Sequence, residues 1–123
     1  MGSESMTHVH STRTLAQRSA IIRHHNDNTR RFARAGVMYV TAGVVALGKE
    51  RMAAVLRAVR EFDGFNRDND PYDEHDMGIV SVSGEIVLWK IDYYDLDRRG
   101  GSPDPADPDV TTRVLTIMLA SEY

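Results

Sequence analysis

The sequence contains no cysteine, which excludes a disulfide framework, a thiolate zinc site and a cysteine nucleophile, and agrees with a reducing compartment. It has no apolar run long enough for a bilayer. The longest, VMYVTAGVVAL, is about half of what a membrane span requires. Arg13, Arg18 and Arg23 interrupt every candidate signal h-region, so a cytoplasmic protein is expected. Phosphate-cradling G-x-x-x-x-G-K-[ST] and G-x-G-x-x-G motifs are absent, as is G-x-S-x-G. Ser81, Ser83 and Ser102 have no assignable base, and no cofactor is implied.

What remains has the composition of a water-exposed globule. Of 123 residues, 41% are apolar and 27% charged, which suits one domain. Residues 1 to 11 lack periodicity and are expected to be a disordered leader; residues 12 to 123 are expected to form a single domain. His8 and His10 therefore carry little weight. Charge is unevenly placed. Residues 1 to 62 hold ten Lys/Arg against four Asp/Glu, a balance of +6, and residues 63 to 123 hold five against fourteen, a balance of -9. The two halves complement each other, or the second presents an acidic binding face.

Hydrophobic spacing organises the chain. Leu15, Ile22 and Thr29, with Ile21 and Phe32, outline a helix starting after Thr12 or Thr14 and ending at Gly36 as a C-cap. VMYVT, residues 37 to 41, suits a strand buried on both faces. Met52, Val55, Leu56, Val59 and Phe62 repeat at helical spacing over residues 49 to 62. GIVSVSGEIVLWKIDYY divides at Ser83-Gly84 into a hairpin, with Val87, Trp89, Ile91 and Tyr93 on one face of its second strand. Leu88, Lys90, Asp92 and Tyr94 occupy the other. DRRGGSPDPADPD is a loop, and Asp107-Pro108 is an N-cap pair that predicts a last helix through Val110, Val114, Ile117 and Met118. The order α-β-α-β-β-α points to an α+β fold, a small, mostly antiparallel three-stranded sheet packed with three helices.

The stretch DNDPYDEHDMG, residues 68 to 78, places five acids and one histidine between a helix and a strand. An EF-hand reading fails, because Tyr72, Asp73 and Ile79 fall at its positions 5, 6 and 12. A looser metal site from Asp70, Glu74, His75 and Asp76, with Asp92 or Asp95, is open. So is a solvated loop whose side chains bond local amides. Glu74-His75-Asp76 is a weak seat for a general base, since neighbours on an extended segment point apart. His24-His25 makes a poor metal pair for a similar reason. The acidic balance and the lack of a basic stripe with interleaved aromatics disfavour nucleic-acid binding. Trp89 and Tyr93 are expected in the core.

The segments FDGFNRDNDPYDEHDMG, LWKIDYYD and GSPDPADPDVTTRVLTIMLASEY resemble a bacterial family of uncharacterised proteins, domain-of-unknown-function family 3768. The resemblance implies the setting of accessory proteins carried on plasmids and other mobile elements. No activity comes with it. The resulting expectation is a non-enzymatic interaction module, a modulator or inhibitor of a host system, binding a basic protein surface through Asp70, Tyr72, Glu74, His75, Asp76 and Tyr94. The alternative is a small metal-dependent enzyme using the acidic loop carboxylates and His75.

Overall fold

A computed structural model describes residues 13 to 123; the expected leader, with His8 and His10, lies outside the described residues. Helix α1 spans Leu15–Phe32. Thr14 starts it with a reciprocal capping box, its Oγ1 accepting from the Gln17 amide at 3.0 Å while Gln17 Oε1 accepts from the Thr14 amide at 2.9 Å. Ala33, left-handed at φ 52°, ends it earlier than expected. Gly36 is not the cap. It opens strand β1, Gly36–Val40, and glycine is needed there because an added Cβ would lie 2.6 Å from Thr29 Cγ2.

A short helix α2, Ala42–Val45, follows, then α3, Lys49–Glu61, where the helical spacing placed it. Strands β2, Met77–Val82, and β3, Glu85–Tyr94, form the expected hairpin. Its two turn residues, Ser83 at φ 52° and Gly84 at φ 81°, have the positive angles that a tight right-twisted hairpin requires.

The last element corrects the expectation. Asp107 and Pro108 do start a turn, with Asp107 Oδ1 accepting from the Asp109 amide at 2.9 Å, but only a 3-10 turn over Pro108–Val110. Thr112–Leu119 is then strand β4 rather than a helix. Val114, Ile117 and Met118 imitate helical spacing because both faces of this strand are buried, which erases the alternation that marks a half-exposed one. The β-branched composition of TTRVLTI was the better guide.

The sheet therefore has four strands in the order β1-β4-β3-β2, with β1 parallel to β4 and the other pairs antiparallel. The α+β class holds, but the sheet is mixed and not three-stranded antiparallel. Nor is β1 buried on both faces. It is an edge strand with Met38 and Tyr39 about half exposed, because an apolar run alone cannot say whether a strand lies at the centre or the rim.

All three helices pack against one sheet face. Val44, Val55 and Val59 from the helices meet Val87, Trp89, Ile91, Leu115 and Ile117 from the sheet in a single buried cluster. Trp89 is 0% exposed and is flanked edge-on by Phe62 and Phe65, at centroid distances of 5.7 and 6.0 Å. Cross-strand Gly78 leaves room for the indole, whose Nε1 lies 2.6 Å from where a Gly78 Cβ would sit. No described helix is long and apolar enough to cross a membrane.

Emptying this position should be severe. Trp89→Ala is expected to lower stability by about 3 to 5 kcal/mol, and Gly78→Ala by about 1 to 3 kcal/mol through overpacking of the same ring. Chemical denaturation of both variants checks the assignment of strand faces, and a loss below about 1 kcal/mol for Trp89→Ala would reverse it.

Candidate functional site

The buried stripe of α1 is unusual in being polar. Ile22, Asn26, Thr29 and Arg30 line up at helical spacing, and the last three carry hydrogen-bonding groups into the interior. Each is matched.

Arg30 is the most heavily used, its side chain wholly buried. Its Nη1 donates to the carbonyls of Val59, Arg60 and Phe62 at 2.9, 3.0 and 3.0 Å, supplying the carbonyl-rich end of α3 with a cation. Its Nη2 donates to Asp27 Oδ1 at 3.1 Å. The guanidinium also lies over Phe65 and Trp89, 5.5 and 5.2 Å from the ring centroids. The same Asp27 oxygen is 2.9 Å from His75 Nδ1. His75 in turn stacks flat on Phe65, with centroids 3.7 Å apart and planes at 4°. Helix, aromatic segment and acidic loop are thus one contact network.

Asn26 makes the second connection. Its Nδ2 donates to the Glu74 carbonyl at 3.0 Å and to the Tyr93 hydroxyl at 2.8 Å, while its Oδ1 accepts from Arg113 Nε at 2.9 Å. Tyr93 donates its hydroxyl proton to Glu74 Oε1 at 2.9 Å. Arg113 lies over the Tyr93 ring at 5.4 Å and donates through Nη2 to the Pro105 carbonyl. Burial holds the Tyr93 phenol well above its ordinary value. Burial likewise raises the Glu74 carboxyl, against the opposing pull of the Tyr93 hydrogen bond, and raises Asp76, which also feels Asp70 and Asp92.

The acidic loop is held by its own first acid. Asp70 is buried, and its carboxylate accepts the amides of Glu74 at 3.0 Å and His75 at 3.2 Å, an Asx arrangement that closes the loop on itself. Asp73 and His75 take left-handed angles, φ 57° and 56°. Arg23 Nη1 bonds both the carbonyl and Oδ2 of Asp73 at 2.8 Å. Tyr72 is the exception, 75% exposed.

Of the four residues expected to ligate a metal, Asp70 and His75 come together, and Glu74 and Asp76 do not join them. The third member is Asp73: one ligand atom each from Asp70, Asp73 and His75 lie within 4.8 Å of one another, the one such group among the described residues. His75 Nε2 is 3.8 Å from Asp70 Oδ2 and 4.0 Å from Asp73 Oδ1, beside a cleft of about 510 Å³ whose walls include Phe65, Asp63 and Arg67. Asp92 pairs instead with Lys90 at 2.8 Å, and Asp95 accepts the Arg99 amide at 3.0 Å. Tyr94 bridges to Gly101 and, by alternation from Tyr93, belongs to the sheet face opposite the helices.

Sequence reasoning missed Asn26, Asp27, Arg30, Tyr93 as a polar partner, and Arg113. A signal existed for most. Asn26 and Arg30 continue the stripe begun by Ile22, and Arg113 shares alternation with Leu115 and Ile117 once residues 112 to 119 are taken as a strand.

Residues 40–122 match the family profile described as Protein of unknown function (DUF3768), and the chain belongs to that family. No curated protein and no solved structure matches it. The matched segment contains the acidic loop, Tyr93 and Arg113, but not the α1 residues that bond them.

Because burial raises the Glu74 pKa above its unfolded value, this group's stabilising contribution is full below the unfolded pKa and is lost as pH rises through the folded one. Glu74→Gln keeps an acceptor for Tyr93 and removes the ionisation. The variant should melt at least as high as the parent near about pH 7, and its melting temperature should vary less between about pH 4.5 and pH 7, which a thermal melt series measures.

Proposed function

We propose that this protein is a non-enzymatic protein-interaction module that engages a basic partner surface through its 68 to 76 loop, with Tyr72 as the anchor. The observation that carries this reading is how the loop is built. Asp70 and Asn26 fix its backbone and His75 ties it to Asp27 through half-buried contacts, and Arg23 clamps Asp73 at the surface, yet the large side chain at its tip, Tyr72, is left in solvent. A rigidly presented aromatic loses little conformational entropy on binding and suits a hot spot. Tyr72 also borders a groove of about 570 Å³ between the loop and the start of α1, where Leu15 is exposed as well.

In this reading the acids divide their labour. Asp70 and Glu74 hold the loop together with His75, while exposed Asp68 and Asp73 supply the rim charge that steers a basic partner. Asp76 and Tyr94 fall outside the contact face. The family resemblance supports a role as a modulator or inhibitor of a host system, encoded on a bacterial mobile element.

A partner purified on the tagged protein should be recovered with the parent and lost with Tyr72→Ala. That variant should keep its melting temperature, because a side chain this exposed changes stability by no more than about 0.5 kcal/mol. Its dissociation should speed by a factor equivalent to about 2 kcal/mol. Equal recovery on both proteins would remove Tyr72 from the interface.

One observation favours the second reading, a metal-dependent centre. Asp27 accepts the hydrogen bond of His75 Nδ1–H, so that in the neutral ring Nε2 keeps its lone pair on the side of Asp70 and Asp73, the tautomer of a metal-bound histidine. On the interaction reading, melts with added Zn²⁺, Mn²⁺ or EDTA should coincide. A rise of several degrees with one metal, abolished in Asp73→Asn, would promote the metal centre instead.

A further inference from the structure

Strand β1 closes one end of the sheet, and its outer side is open. The Thr41 amide donates to the Ile117 carbonyl at 3.0 Å, which sets the phase of the parallel ladder. Val37 and Tyr39 accordingly turn their backbone groups toward β4, while Met38 and Val40 turn theirs outward. No further strand pairs with β1, and among the described residues no side chain bonds to the outward groups of Met38 or Val40. The segment GVMYV also lacks the devices that protect an edge: it has no charge and no proline, and its register with β4 is unbroken.

Beside this edge, on the helix-bearing face, a slot of about 280 Å³ opens between β1 and the ends of α1 and α3. Phe32, Met38, Leu56 and Val59 line it, with Leu115 and Ile117 beneath. Phe32 and Met38 are substantially exposed. The charged side chains at the slot are all cationic: Arg31 and Arg60 border it next to the buried Arg30, no acid lines it, and Arg34 lies 5.4 Å over the Phe32 ring. Neither Arg31 nor Arg60 forms a side-chain salt bridge among the described residues.

We propose that this edge and slot bind an extended segment of a partner protein, added to the sheet as a strand beside β1, with one apolar side chain in the slot and acidic residues flanking it. The backbone of Met38 and Val40 supplies the strand pairing, and alternation along the incoming strand directs every second side chain to the slot face. The residues two positions away on that face meet Arg31 and Arg60, which is why they are acidic. A second copy of this chain fits less well, because its own β1 carries no acid and is preceded by Arg34, which would place like charges together. The surface is separate from the Tyr72 loop and opposite in charge, and it stands whether or not that loop binds a partner.

The test is selection from a random phage-displayed peptide library on the immobilised full chain, run in parallel on the Arg31→Glu/Arg60→Glu double variant. Both side chains are exposed, and an unchanged melting curve confirms that the variant folds. The parent should enrich sequences with an apolar residue flanked by Asp or Glu at alternate positions. A synthetic copy of the enriched peptide should bind the double variant at least about tenfold more weakly and should slow hydrogen exchange at the Met38 and Val40 amides. Enrichment of basic sequences, no parent-specific enrichment, or protection at other amides would overturn the proposal. So would a concentration-dependent dimer that protects the Met38 amide without peptide, since the edge would then belong to a second copy.

Discussion

The Arg30 guanidinium is the interaction on which the candidate site depends. It sits where α1, the end of α3, and the aromatic pair Phe65 and Trp89 converge. A buried cation is tolerable only if its donors are met, and three main-chain carbonyls with the Asp27 carboxylate meet most of them. The Arg30 Nε is buried without a partner, as is the indole Nε1 of Trp89 beside it. Because Asp27 bonds both Arg30 and His75, the orientation of the histidine is inherited from the helix cap. The acidic loop is therefore placed by a core contact and not by its own charges alone.

That dependence explains what the sequence made legible. The helix of residues 49 to 62, the hairpin and the burial of Trp89 followed from spacing and turn chemistry, which are local. The nature of β4 did not, because a strand buried on both faces shows no alternation, and Val114, Ile117 and Met118 are then compatible with either period. The edge position of β1 was equally hidden, being a property of which strands lie beside it. Among the site residues, the acidic stretch announced itself by composition. The partners that orient it, Asn26, Asp27, Arg30 and Arg113, were concealed by the usual expectation that such side chains face solvent. Asp70 shows the same bias in part: side chains bonding local amides were one expected reading of the loop, and Asp70 does bond them, but buried and not in a solvated loop.

The boundaries of the family match and of the contact network differ. The match begins at Val40, whereas Asn26 and Arg30 come from the preceding helix. Within the matched segment alone, the carbonyls ending α3 and the polar edges of Tyr93 and Arg113 would lose partners that α1 supplies. A helix that closes so many interior hydrogen bonds is part of the fold's physical unit, even where sequence similarity does not extend to it.

The parallel pairing of β1 with β4 also governs the order in which the molecule can assemble. Gly36 meets Arg113 across that ladder, with more than half of the chain looped between them, so β1 has no strand to join until the last strand has formed. The β2–β3 hairpin and α3 are local and can form early, whereas closing the β1–β4 pair is the step with the greatest loop entropy. Of the four strands, β1, with five uncharged residues, leaves a ribosome first and waits longest for its partner. Through that interval the stretch that later forms the open edge of the sheet is an unprotected β-prone segment, and the nearest charges that could gate its association are the arginines of the helix before it, not any feature of the strand itself.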